Sequence, residues 1–321
     1  MRIHLPNSAF IKNIDAFLAS FDPRNPGELH ITADKRWIAV HPLAISMVGA
    51  LGLKVGPHNI DCEKFEAKSG HYFERIGLFK LLGISSGMAI ESHEEAGRFI
   101  PVAQIRTARE QTEFITNVIP LLHLKKQHQV DTIVYILGEL IRNVLEHAND
   151  PNGAIVCAQY YPKPNTIRIG IADTGIGIKA SISASHAPKD HLEALRLALW
   201  PGITGTTARI GGTEQNAGAG LFFTKSIARA NKDYFLMYSG DAMYKLIKTQ
   251  PKKLRLHADP FEDKHSKKSG LPNWRGTVVG IDITLDQTQE FTMFLDVLNQ
   301  ALRTAVAERK RAKYKKPKFV T

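Results

Sequence analysis

Cysteine is nearly absent: the 321 residues contain only Cys62 and Cys157. They stand far apart and in no CxxC pair, so neither a disulfide framework nor a cysteine-based zinc site is supported. A reducing, cytoplasmic setting suits that composition. Long hydrophobic runs are also missing. The longest apolar stretch, 38–55, is interrupted by His41, Pro42 and several glycines, and the opening MRIHLPNSAFIKNIDAF has no continuous apolar segment. Neither a secretory leader nor a membrane span is therefore expected. No internal repeat is visible.

Acidic residues are in short supply, 31 against 42 Lys and Arg, which leaves a formal charge of +11. The surplus is local. Between Glu308 and Lys318 there are seven basic residues and one acid, so this tail carries +6 of the +11 and the rest of the chain +5. Such a tail either holds phosphate backbones of nucleic acid or an acidic surface, or is a solvated end. At 43% hydrophobic residues the chain buries a substantial core, and its length favours two domains over one.

In the first 86 residues ELHITAD and RWIAVHP read as strands, PLAISMVGALGL as a helix with Pro42 in its first turn, and SGHYFERIGLFKLLGI as a second helix. This is a small α/β unit. Its order of strand, HPLAISMVGAL helix and later ERIGLFKLLGI helix resembles the STAS-type domain of anti-anti-sigma factors. In that family a serine at the start of the central helix accepts phosphate. Ser46 is the nearest residue here, but the family's Asp-Ser pair is absent. Residues 87–109 are polar and without period, a linker or lone connecting helix. Their SHEEAGRFIP begins like a histidine-kinase phosphoacceptor box, yet His93 lies 46 positions before Glu139, too close for the helical hairpin that carries such a histidine.

ILGELIRNVLEHAND, 136–150, is an amphipathic helix whose buried face is Ile133, Ile136, Leu137, Leu140, Ile141 and Val144. Glu139 and Asn143 stand one turn apart at the border of that face, with Glu146 nearby. On its own this is a solvated polar edge. Then AIVCAQYYPKPNTIRIGI reads as a hairpin and runs into IADTGIGI, where a strand ends in Asp173, Gly175 and Gly177, a DxGxG pattern. The aspartate can stand in a pocket where glycine backbone approaches a ligand closely. GAGLFFTKSIARA supplies Gly218, Gly220 and Leu221 just before a helix whose N-terminal amides could meet phosphates. WRGTVVGIDITL is an edge-ready strand with Gly276 and Thr277 at its start.

ExxxN on a helix, DxGxG after a strand, GxGL before a helix and a late GT strand, in this order over about residues 110–285, resemble the GHKL superfamily of gyrase, heat-shock chaperones, mismatch-repair ATPases, histidine kinases and anti-sigma kinases. The resemblance implies a Bergerat two-layer α/β sandwich, a mixed sheet with helices on one face, over 110–307, with a basic tail over 308–321. It implies ATP and Mg²⁺ as ligands. Asn143 would hold the magnesium, Asp173 would accept a hydrogen bond from the adenine amino group, and Gly175 and Gly177 would allow close approach of the base. Gly218, Gly220 and Leu221 would form the lid and phosphate turn, and Thr277 would line the adenine end. Glu139 would be the catalytic base, as in members that hydrolyse ATP or transfer its γ-phosphate to a hydroxyl. Glu146 stands where many histidine kinases have lysine, so phosphate contacts must come from elsewhere. Arg209, in the Gly- and Thr-rich loop before Gly218, and Lys225 are the residues weighed for that part.

The resemblance leaves three functions open: an ATP-dependent regulatory ATPase or Ser/Thr kinase acting on a protein partner, a soluble histidine kinase, and a nucleotide-gated module that binds protein or nucleic acid. Several members act as dimers, so a homodimer is compatible with it. Lys248 to Trp274, lysine-rich and long for a strand connection, is expected to be an exposed loop or partner-contact element. A last helix, 288–309, should pack through Phe291, Phe294, Leu295, Leu298 and Leu302.

Overall fold

The computed structural model describes residues 1–86, 99–122, 124–205, 218–249, 256–287 and 291–313. Its first third runs β1 (Arg2–Leu5), α1 (Asp15–Ser20), β2 (Leu29–Ala33), α2 (Pro42–Val55), β3 (Ile60–Cys62), α3 (His71–Arg75) and α4 (Leu78–Leu82). Then follow β4 (Phe99–Ile105), α5 (Ala108–Val118), α6 (Gln127–His147), β5 (Ala154–Tyr161), β6 (Thr166–Ala172), α7 (Gly177–Ser183) and α8 (His191–Ala198). The remainder is α9 (Gly220–Ala230), β7 (Phe235–Gly240), β8 (Ala242–Leu246), β9 (His265–Lys268), β10 (Trp274–Thr284) and α10 (Phe291–Lys313).

The strands build two sheets, a parallel three-stranded one ordered β1-β2-β3 and a seven-stranded one ordered β4-β5-β6-β10-β7-β8-β9. Every pairing in the larger sheet is antiparallel, where a mixed sheet was expected. Short hairpins explain part of this: β5 and β6, and β7 and β8, are joined too tightly for a parallel crossover. The fold is thus α+β.

Both faces of the large sheet are covered, not one. Alternation along β5 sends Val156 and Ala158 to a core shared with Leu137, Leu140 and Ile141 of α6, with Leu195 of α8 and with Leu298 of α10. It sends Ile155 and Cys157 to a second core, shared with Ile3, Leu5, Leu29, Ile31 and Leu43 to Met47 of the N-terminal segment. Helix α2 is the seam of that second core. Every residue from Pro42 to Gly52 is buried, because the helix packs the small sheet on one side and the large sheet on the other. Its start is fixed by His41, whose Nδ1 accepts from Leu43 N at 3.0 Å, and by Pro42 in the first turn.

Its seat on the sheet is made by Gly170 and Gly280, which face each other across β6 and β10. A Cβ at Gly170 would lie 2.1 Å from Leu43 N, so the backbone of the helix rests directly on the strand. Ser46, the residue nearest the STAS phosphoacceptor position, is fully buried and donates to Gly170 O at 2.9 Å. The expected boundary at residue 86 is therefore no break in packing. His41 strengthens the join. Because its Nδ1 accepts, its Nε2 carries the proton and donates to Asp282 of β10 at 3.0 Å. Asp282 also lies 3.6 Å from Arg168, whose guanidinium lies over both the Phe10 and the Tyr161 ring, 4.5 and 4.0 Å from their centroids.

Four further expectations are corrected. Residues 99–105, assigned to a connecting segment, form β4 and pair with β5. The strand read as edge-ready, β10, is central, between β6 and β7. The described part of the lysine-rich stretch, 256–274, includes the edge strand β9, which pairs with β8. Helix α10 runs through to Lys313 and so takes in the first basic residues of the expected tail. Helix α5 begins with a reciprocal cap in which Thr107 Oγ1 accepts from Glu110 N and Glu110 Oε2 accepts from Thr107 N. Among the described residues no helix is long and apolar enough to cross a membrane.

Candidate functional site

A cavity of about 280 Å³ opens between α6, α7, the end of β6, the start of β10 and the start of α9. Glu139, Asn143, Asp173, Gly177, Gly218, Gly220, Leu221 and Thr277 all line it. Of the nine residues assigned above to ligand binding or catalysis, Gly175 does not line it, though its N–H reaches in from behind to Asp173 Oδ1 at 2.9 Å.

Helix α6 forms one wall because its apolar side is consumed by the sheet, leaving the polar border to face the gap. Glu139 is largely covered, and burial pushes its carboxyl above the ordinary range while Arg142 pulls it back. Arg142 Nη2 donates to both carboxylate oxygens at 2.6 Å. One turn on, the Asn143 amide places a buried Nδ2 with no hydrogen-bond partner among the described residues. A buried amide donor without a partner is costly, and this residue lines the cavity.

Asp173 closes the opposite end. Strand β6 carries it to the rim, where its N–H donates to Thr277 O at 3.0 Å and its carbonyl accepts from Trp274 Nε1 at 3.0 Å. Burial lifts its carboxyl to about 7; Asp150 adds to the rise, and the Gly175 N–H opposes it. The turn that follows is held by Thr174, whose N–H and hydroxyl both reach Asp150 Oδ2, and by Ile176 N donating to Ala148 O. Gly177, with φ at +77°, turns the chain into α7, and a side chain there would press on Ser239 Oγ, which bonds Gly276 O at 2.6 Å.

The third wall is the start of α9. A Cβ at Gly220 would lie 2.1 Å from Glu139 Oε2, so any side chain there would push the carboxylate from its present place. The helix N-terminus with its outward amides thus abuts the carboxylate of Glu139. Ile171, Val279, Leu140, Val144, Ile182 and Ile203 supply the apolar surface between the polar ends.

Sequence reasoning overlooked Tyr135, Arg142, Ser181 and Thr204, which also line the cavity. Tyr135 and Arg142 were within reach, since they lie one turn before and one turn after Glu139 on a helix already chosen. Ser181 and Thr204 left no signal, because only the tertiary fold brings α7 and the 199–205 loop to the gap. Lys225 is corrected. It is 1% exposed and donates to Asp263 Oδ2 at 2.6 Å, with Arg229 also 3.3 Å from Asp263, so its ammonium serves the fold and does not reach the cavity. His93 and Arg209 lie outside the described residues.

A pocket with an apolar waist, a buried carboxyl at one end and an amide, a carboxylate and a helix N-terminus at the other can hold a flat polar heterocycle and an anionic tail. Among the described residues no three His, Cys, Asp or Glu side chains are grouped to hold a metal by protein ligands alone. In comparisons with known proteins, no family model matches the chain and no curated protein matches it.

Proposed function

We propose that the cavity binds Mg²⁺-ATP and that the protein cleaves the γ-phosphate, to water or to a Ser or Thr hydroxyl of a partner protein, as a GHKL-type ATPase with a Bergerat-like site. One observation carries the reading: residues from four separate segments, Glu139 and Asn143, Asp173 and Gly177, Gly218 to Leu221, and Thr277, line one cavity.

The residues fit the ligands. Asp173 Oδ1 is engaged by Gly175 N–H, which leaves Oδ2 to accept from an exocyclic amino group and to repel a guanine oxygen, so adenine is favoured. The unpartnered Asn143 amide offers an oxygen or nitrogen according to its orientation. A single amide oxygen suits magnesium, which takes few protein ligands and completes its octahedron with phosphate and water. When bound, Mg²⁺ would neutralise charge on the phosphates. Glu139 then takes the proton of the attacking hydroxyl as its oxygen bonds to the γ-phosphorus, and the bond from that phosphorus to the β–γ bridging oxygen breaks to release ADP.

The test is titration with ATP, ADP and GTP in the presence of magnesium, followed by phosphate release. Adenine nucleotides should bind, and GTP should not. A wild-type protein that binds none of them at millimolar concentration ends this reading.

A further inference from the structure

The wall of the cavity is short of positive charge. Its described acidic residues are Glu139, Glu146 and Asp173, and against them stands a single side chain of permanent positive charge, Arg142. His147 is pushed toward its neutral form by burial, and Lys225 is spent on Asp263. A polyphosphate placed beside two glutamates calls for positive charge beyond that of magnesium, and among the described lining residues Arg142 is the side chain of permanent charge able to supply it.

We propose that Arg142 senses the γ-phosphate: it clamps Glu139 while the site lacks a terminal phosphate, and transfers to that phosphate when ATP binds, which frees Glu139 to take a proton. This rests on the nucleotide reading of the cavity. Three features support it. The guanidinium holds both oxygens of Glu139 at 2.6 Å, so the base is occupied in this conformation. Its side chain is 52% exposed against 13% for Glu139, and its Nε lies 3.8 Å from Glu146, so the guanidinium stands at the solvent edge of the pair and can swing away without leaving a packed position of its own. Arg142 is also next to Asn143, whose side chain faces the same cavity, and a guanidinium fork matches phosphate oxygens as well as carboxylate.

The exchange ties readiness of the base to the presence of the group it attacks. ADP, lacking that group, leaves Glu139 clamped.

The experiment compares ADP with the non-hydrolysable β,γ-imido analogue of ATP, titrated calorimetrically into the wild type, Arg142→Gln and Arg142→Lys with magnesium present. Charge-assisted bonds of this kind correspond to about 10–100-fold in affinity. Arg142→Gln should weaken the ATP analogue by about that factor and leave ADP binding nearly unchanged, and Arg142→Lys should recover part of the loss. Equal loss for both nucleotides, or none for either, overturns the role of Arg142 while leaving the nucleotide site standing. A wild type that binds neither nucleotide overturns both. Far-ultraviolet circular dichroism of the variants, expected to match the wild type because Arg142 is half exposed, separates lost contacts from lost fold.

Discussion

Trp274 donates its indole Nε1–H to the main-chain carbonyl of Asp173 at 3.0 Å, while its ring lies 5.5 Å from Phe21 in the N-terminal segment. The residue that would read the adenine is thus held from behind by a side chain belonging to the other core. Trp274→Phe keeps most of the apolar volume and leaves the Asp173 carbonyl without this donor. It should cost about 1–3 kcal/mol in urea unfolding and weaken ADP binding. Phe21→Leu touches the indole and not the site, so it should lower stability with a smaller effect on ADP. If Trp274→Phe loses stability yet binds ADP like the wild type, the contact is structural only.

Asp173 makes opposite demands on stability and binding. Its folded pKa of about 7 stands above the usual carboxylate value near 3.9, so the unfolded chain ionises first. Stability from this group is complete below about pH 4 and is lost as pH rises through 7. Asp173→Asn removes that loss and should stabilise the protein on the order of 2–4 kcal/mol at pH 8 and hardly at all at pH 4. It should also abolish adenine nucleotide binding. The Gly175 N–H fixes an acceptor at the Oδ1 position, so the amide would turn its NH₂ to the adenine amino group. In the wild type, affinity should rise from pH 6 to pH 8, as the protonated carboxyl gives way to the acceptor form. Flat affinity across that range would remove Asp173 from base recognition.

Glu139→Gln preserves shape and removes the basic oxygen. Phosphate release should fall by about 10²–10⁴ while the affinity for the ATP analogue is kept or improved, because a negative group beside the phosphates is gone. Release that persists at the wild-type rate would place the base elsewhere.

The site was more legible than the scaffold, for a physical reason. ExxxN, DxGxG and GxGL are short patterns in which side-chain chemistry and backbone shape are specified together, and each stands on one helix or turn. The scaffold depends on what packs against what. FIPVAQI falls in a stretch that reads as polar and without period, and its Pro101 cannot donate to a ladder; the structure puts Pro101 within the irregular register between Ile100 and Ala103, where that loss is tolerated. PLAISMVGALGL reads as a helix, and its all-round apolar character fits burial on two sides, but nothing in the sequence says that one of those sides is the larger sheet. Lys225 looked available because the sequence could not reveal Asp263, 38 residues away.

That buried ion pair has an asymmetric prediction. Lys225→Met leaves Asp263 beside Arg229, so the loss should be modest and nucleotide binding unchanged. Asp263→Ala leaves two buried cations facing each other without a counter-charge and should cost about 3–5 kcal/mol. Equal costs in thermal or urea unfolding would mean that Arg229 does not compensate, and loss of ADP binding in a folded Lys225→Met protein would return Lys225 to the site.

Gly170→Ala tests whether α2 really rests on the sheet. The new methyl would stand 2.1 Å from Leu43 N, a backbone atom already fixed by His41, so the helix must lift as a unit. Lifting would stretch the bonds of Ser46 to Gly170 O and of His41 to Asp282, both of which depend on the same seating. A cost of about 3 kcal/mol is expected, against about 1 kcal/mol for Ser46→Ala, which removes one bond and keeps the seat. Because Gly170 is three residues before Asp173, which directly follows the same strand, Gly170→Ala should also weaken ADP binding, whereas Ser46→Ala should not. If the two variants unfold at the same urea concentration, α2 is not seated on Gly170, and the N-terminal segment and the nucleotide site are mechanically independent.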